Sequence, residues 1–72
     1  MTLYFEHATG KRTRVKEHVS GVDEALRLIA VDVAKRNPAY QIPYTRYWEG
    51  SEGIWFDVGS HTEFYVLKEE ET

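Results

Sequence analysis

The residues of this sequence best suited to chemistry lie in one short stretch, Asp57, Ser60, His61 and Glu63. Zinc takes histidine and carboxylate ligands, provided three or four of them converge. His61 and Glu63 can face the same side of an extended segment, whereas the place of Asp57 depends on the Gly59-Ser60 break between them. Serine beside histidine with an aspartate near also invites comparison with a nucleophile–base–orienter triad. Triad members must converge in space with the base held on both sides, which adjacent residues in one tight turn rarely achieve. His7 and His18 lie on segments that could pair, yet no recognised metal spacing, glycine-rich phosphate loop or nucleophile elbow joins them. Turn polarity and surface charge are the better explanation, and the expectation is no metal, no cofactor and no enzymatic activity. Cysteine is absent, which removes thiolate ligands, thiol nucleophiles, disulfides and redox chemistry together.

A chain of 72 residues makes one small domain with little room for a closed pocket. A domain this size buries only about 60% of the surface its unfolded chain exposes, so self-association is a common source of extra stability. Nine basic against twelve acidic residues leave a net charge of −3, with both signs spread along most of the chain. A general DNA-binding domain normally carries a basic surplus, and so small an acidic excess makes a poor imitation of DNA. At 42% hydrophobic the chain is too apolar to be disordered. No apolar run approaches the roughly 20 residues of a membrane span. Met1-Thr2-Leu3-Tyr4-Phe5-Glu6 has neither the basic start nor the apolar stretch of a signal peptide, so the cytoplasm is the expected compartment.

The elements that would position these residues follow from periodicity. Leu3, Phe5 and His7 alternate with Tyr4 and Glu6, which predicts a half-buried strand. Thr9-Gly10-Lys11 supplies a tight turn, and residues 13–19 alternate again to complete a hairpin. Ser20, followed three residues later by Asp23, reads as a helix N-cap answered by an acid. Val22, Ala25, Leu26, Ile29 and Val33 recur at helical spacing, and Pro38 closes the helix at Asn37. Residues 44–48 form a strand, Gly50-Ser51-Glu52-Gly53 a turn, and residues 54–58 a strand. Gly59-Ser60 marks a two-residue break, and residues 62–67 a last strand. The expected fold is α+β in the order ββαβββ, two layers, with one amphipathic helix packed on a four- to five-stranded antiparallel sheet. Residues 1–68 form the domain, and 69–72 a charged, frayed tail.

Leu3, Phe5, Val15, Ile54, Phe56, Val58, Phe64 and Val66 would line the face under the helix. The open face would then carry Tyr4, Glu6, Arg14, Lys16, His18, Arg46, Trp48, Trp55, Asp57, Glu63, Tyr65 and Leu67. The uncovered face of an antiparallel sheet is ordinarily polar, and this one is rich in aromatics. Tyrosine and tryptophan give large, rigid contact area at binding hot spots, and they also stabilise strands by cross-strand pairing. A one-residue slip in register would exchange the faces. Leu28 and Val31, one turn apart on the helix, offer a second and smaller surface. The Lys11-Arg12-Thr13-Arg14-Val15-Lys16 hairpin is the one basic concentration, from which phosphates could be contacted while nearby rings stack on bases.

The stretch Tyr44-Thr45-Arg46-Tyr47-Trp48, followed by Ile54-Trp55-Phe56-Asp57-Val58-Gly59-Ser60-His61-Thr62-Glu63-Phe64-Tyr65, resembles segments of small phage and prophage proteins of Gram-positive bacteria. The resemblance implies a context in which small single-domain proteins bind and redirect a host protein, such as a defence or replication factor. It carries over no functional residue. The expectation is a non-enzymatic protein-binding module engaging a host protein or a second copy of itself. Tyr4, Trp48, Trp55 and Tyr65 would be its anchor, with Arg14, Lys16, Arg46 and Asp57 orienting the partner. A nucleic-acid-binding module built on the basic hairpin is the alternative, and a homodimeric structural protein another.

Overall fold

A computed structural model describes residues 1–70. Strands β1 (Thr2–Glu6) and β2 (Arg12–Lys16) precede helix α1 (Val22–Arg36), and β3 (Arg46–Glu49), β4 (Ile54–Asp57) and β5 (Phe64–Lys68) follow it. The five strands form one antiparallel sheet in the order β2-β1-β5-β4-β3. The expected ββαβββ architecture is the one present. Because β2 and β3 are the two edges, the helix must carry the chain across the whole sheet. Fifteen helical residues span about 22 Å, close to the roughly 19 Å that separates the outer members of five strands.

Ala25, Ile29 and Val33 are buried on one stripe of α1, with Val22, Leu26 and Leu28 packed beside them. Asp23 and Glu24 in the first turn and Lys35 and Arg36 in the last complement the helix dipole. The helix begins one residue later than the expected cap. Gly21 is the N-cap, its carbonyl accepts from the Ala25 N–H (3.0 Å), and no side chain caps from that position. Glu24, at the third helical position, reaches back past the cap instead: the Ser20 N–H donates to Glu24 Oε1 at 2.7 Å. Glu24 Oε2 also takes a hydrogen bond from Lys16 Nζ at 3.1 Å, tying β2 to the helix.

That contact corrects the place expected for Lys16. Tyr4 pairs with Arg14 but Leu3 pairs with Lys16, so Val15 is an extra residue in β2 and a bulge. Val15 packs against the core, and Lys16 emerges on the helix side of the sheet rather than on the open face. The strand stops there; Val19 nonetheless reaches the core, its N–H donating to the Met1 carbonyl at 2.6 Å. The Met1 ammonium donates to the Val19 carbonyl and pairs with Glu70 at 3.3 Å, and Glu70 also accepts from the His18 N–H. Glu70, expected in the frayed tail, is thus anchored; Glu71 and Thr72 of that tail lie outside the described residues.

The larger correction concerns β5. Phe56 pairs with Tyr65 and Ile54 with Leu67, so Tyr65 and Leu67 lie under the helix while Phe64 and Val66 occupy the open face. Tyr65, expected as an exposed anchor, is buried and donates its phenol to Asp32 of α1 at 2.6 Å. The connection from β4 to β5 is also longer than a two-residue turn, running over residues 58–63. Asp57 Oδ1 accepts from the Gly59 N–H, and Ser60 Oγ from the N–H groups of Thr62 and Glu63. Gly59 has φ 89°, and a Cβ there would lie 2.5 Å from Pro43 Cγ. Only glycine fits both demands. Tyr65, Val66 and Leu67 are all buried, so β5 is covered on both faces although only one face has a helix.

Candidate interaction surface

Register places the open-face residues in two rows that cross all five strands. Arg14, Tyr4, Val66, Trp55 and Trp48 form one row. Arg12, Glu6, Phe64, Asp57 and Arg46 form the next. Six of the residues expected at a partner surface (Tyr4, Arg14, Arg46, Trp48, Trp55 and Asp57) are therefore neighbours on one face. Tyr65 and Lys16 are not among them.

The rows are unevenly accessible. Val66, at the centre, has 0% of its surface exposed, although it lies on the face away from the helix. Its cover is made by its own row and one arginine. The Arg12 guanidinium sits 5.9 Å from the Tyr4 ring centroid and 5.8 Å from that of Trp55, bridging the Val66 position. It donates twice to Glu6 Oε1 (2.9 and 2.7 Å) and to both oxygens of Glu52 (3.1 and 3.0 Å), the latter carried on the β3–β4 turn. These bonds, to Glu52 first and then Glu6, push the Arg12 guanidinium further above its ordinary value, and Arg12 in turn holds the Glu52 carboxyl below its own. Lys68 Nζ adds a longer contact to Glu52 at 3.8 Å. The middle of the open face is thereby closed by the protein itself.

Toward β3 the face opens. Phe64, in the neighbouring row, meets both Trp48 and Trp55 edge-on at 6.4 Å between ring centroids. Trp55 is half-buried, whereas Trp48 is 45% exposed and Tyr44 47%; Tyr47, 55% exposed, pairs with Phe56 and lies on the other, helix-side face of β3. Arg46 donates to Asp57 Oδ2 at 2.7 Å and lies 5.0 Å from the Tyr44 ring centroid. Asp57, buried at 7% exposure, is held below the usual carboxylate range by Arg46 first and the Gly59 N–H second. It fixes the turn and orients Arg46, and little of its own surface is exposed.

The polar cluster of the 57–63 region assembles differently from a triad. Ser60 Oγ is engaged by backbone N–H groups and Asp57 by Arg46 and Gly59. Among the described residues, no group of three or more histidines and carboxylates is placed to hold a metal ion. A groove of about 1010 Å³ opens between the end of α1 and this connection, with His7, Arg36, Tyr40, His61 and Glu63 on its walls. Several of its polar groups are already bonded within the protein. His7 Nε2 meets Thr13 Oγ1 at 2.8 Å, Arg36 donates to Asp32 at 2.6 Å, and Tyr40 donates to the Val58 carbonyl at 2.7 Å.

Sequence reasoning placed Glu6 on the open face and Arg12 in the basic hairpin, but missed their union with Glu52, which depends on strand order, and undervalued Tyr44 and Tyr47. The run Tyr44-Thr45-Arg46-Tyr47-Trp48 itself held the signal for the last two: three aromatics in five residues with few partners left to bury them. No family model, no curated protein and no solved structure matches the chain. Among the described residues no helix is long and apolar enough to cross a membrane.

Proposed function

We propose that the protein is a non-enzymatic binding module that holds another protein chain through the β3 edge, with Tyr47 and Trp48 as anchors and Arg46 orienting the partner. One observation carries the reading. Among the described residues, three of the four large apolar side chains that remain exposed, Tyr44, Tyr47 and Trp48, lie on β3 or its approach; Val31 of α1 is the fourth. Isolated exposed apolar residues are ordinary, but aromatics gathered at one edge mark a contact site.

The basic hairpin supports nucleic-acid binding less well. Arg12 pairs with Glu6 and Glu52, Arg14 with Glu17, and Lys16 with Glu24, so each of these cations has a carboxylate beside it. Phosphate contacts would have to displace those carboxylates.

The resemblance of residues 44–48 and 54–65 to segments of phage proteins selects a Gram-positive lysate as the first source of partners. Affinity capture at moderate salt should retain a protein on wild type and lose it on Trp48→Ser, with both baits shown folded by circular dichroism. Trp48 is the better probe than Trp55, whose ring is part of the closed cluster. Equal capture by both baits would refute the β3 surface.

A further inference from the structure

We infer that the β3 edge pairs with the β3 edge of a second copy of this chain, antiparallel, about a two-fold axis at Tyr47. The inference rests on the reading of β3 as the contact surface and specifies its occupant.

The Gly50 N–H donates to the Gly53 carbonyl at 2.7 Å, which makes Gly50 and Gly53 a hydrogen-bonded pair closing the β3–β4 hairpin. Bonded and non-bonded pairs alternate along an antiparallel ladder. Trp48 with Trp55 and Arg46 with Asp57 are then bonded pairs, and Glu49 with Ile54 and Tyr47 with Phe56 are not. The N–H and C=O groups of Tyr47 and Glu49 consequently point away from β4, off the free edge of the sheet. Such an edge is a template for another strand unless something blocks it. The opposite edge is blocked: β2 carries Arg12, Arg14, Lys16 and the Val15 bulge. β3 has no bulge, no proline and no lysine.

A second copy suits this edge because the sequence is self-complementary in one register. A two-fold axis normal to the sheet keeps both helices on one side and pairs residues of like face. Centred on Tyr47, it sets Tyr47 against Tyr47 as a bonded pair and Thr45 against Glu49 on either side. On the open face each Arg46 lies opposite the partner copy's tryptophan at position 48, a favourable cation–π arrangement. No like charges meet. An axis at Glu49 would oppose two carboxylates, and one at Trp48 would leave Arg46 facing Gly50, which has no side chain. The contact is short, so a dissociation constant of roughly micromolar or weaker is expected.

Sedimentation velocity over a concentration series tests this on the intact chain. Wild type should shift from monomer to dimer. Tyr47→Pro, which removes an outward N–H and the ring beside Phe56 but no bond to β4, should stay monomeric at every concentration with the β-sheet signature of its circular dichroism spectrum retained. If that variant loses structure, Tyr47→Lys gives the same reading by placing two ammonium groups on the axis. The chain has no cysteine, so single-thiol variants are clean probes. Bonded pairs bring Cα atoms to about 5.5 Å, within disulfide range. Tyr47→Cys should therefore oxidise to a covalent dimer on the order of tenfold faster than Val31→Cys, placed on the exposed side of α1. Equal rates, faster cross-linking from Trp48→Cys, or a wild type monomeric throughout would each overturn the inference. A monomeric wild type whose captured partner is still lost on Trp48→Ser overturns self-pairing alone. A monomeric wild type with equal capture by both baits overturns the contact surface as well.

Discussion

Arg12 joins three strands through one side chain: it sits on β2, bonds Glu6 of β1, lies against Trp55 of β4, and reaches Glu52 in the β3–β4 turn. Exposed ion pairs ordinarily contribute little to stability. This one differs because Glu6 is largely enclosed and because the guanidinium closes the cover over Val66. Arg12→Ala should cost about 1–2 kcal/mol, seen as a lower midpoint in urea, through lost cation–π contact and a carboxylate left poorly paired. Arg14→Ala, removing the exposed partner of Glu17, should stay within about 0.5 kcal/mol of wild type. Gly59 is the other sensitive residue. Gly59→Ala meets both a positive φ and the Pro43 ring, and should cost about 1–3 kcal/mol in the same measurement. The break at Gly59 was legible in the sequence, though not the length of its connection; the role of Arg12 was not, since its ring contacts appear only when β5 separates β1 from β4.

Helix α1 was the most legible element, because one apolar stripe and a proline stop sufficed. Its start was misread by one residue: Ser20 looked like the cap, but Glu24 does the work on the Ser20 N–H. That bond, and then Lys16, lowers the Glu24 carboxyl from 4.5 to about 2. A carboxylate more acidic in the folded than in the unfolded chain stabilises the fold above its unfolded value and ceases to do so as pH falls through the folded value. The Glu24 contribution should therefore be complete above pH 4.5 and vanish by about pH 2. Glu24→Gln should be less stable than wild type at neutral pH, with the two urea midpoints converging over that window. Strand β5 was the least legible element. Its hydropathy suits either face, since Phe64, Tyr65, Val66 and Leu67 are all apolar or aromatic. Turn parity would have decided it. Any connection of even length from β4 sets Ile54 and Phe56 against odd-numbered residues, as the pairs Ile54–Leu67 and Phe56–Tyr65 display. The bulge at Val15 had no sequence signal of its own, and it moved Lys16 from one face to the other.

At the scale of the whole molecule, the sheet solves its two faces differently and leaves its two edges unequal. The helix covers one face over β1 and β5, and the other is closed at its centre by Tyr4, Trp55 and Arg12. One edge is charged and bulged. The other is aromatic, with backbone groups turned outward. A domain this small has little stability in reserve, so whatever pairs with the aromatic edge adds to the fold itself. Ligand linkage makes that addition measurable, because binding to the folded state alone raises stability with concentration. Taking wild type from well below to about tenfold above its dimer dissociation constant should add on the order of 1 kcal/mol, or roughly 4–8 °C in Tm for a domain of this size. Tyr47→Pro should show one Tm at all concentrations, at or somewhat below the dilute wild-type value, because its β4 ladder is intact while the outward donor and the ring contact with Phe56 are gone. A wild-type Tm flat over the same range would leave the monomer to account for all of its own stability, and the β3 edge would contribute nothing through self-pairing.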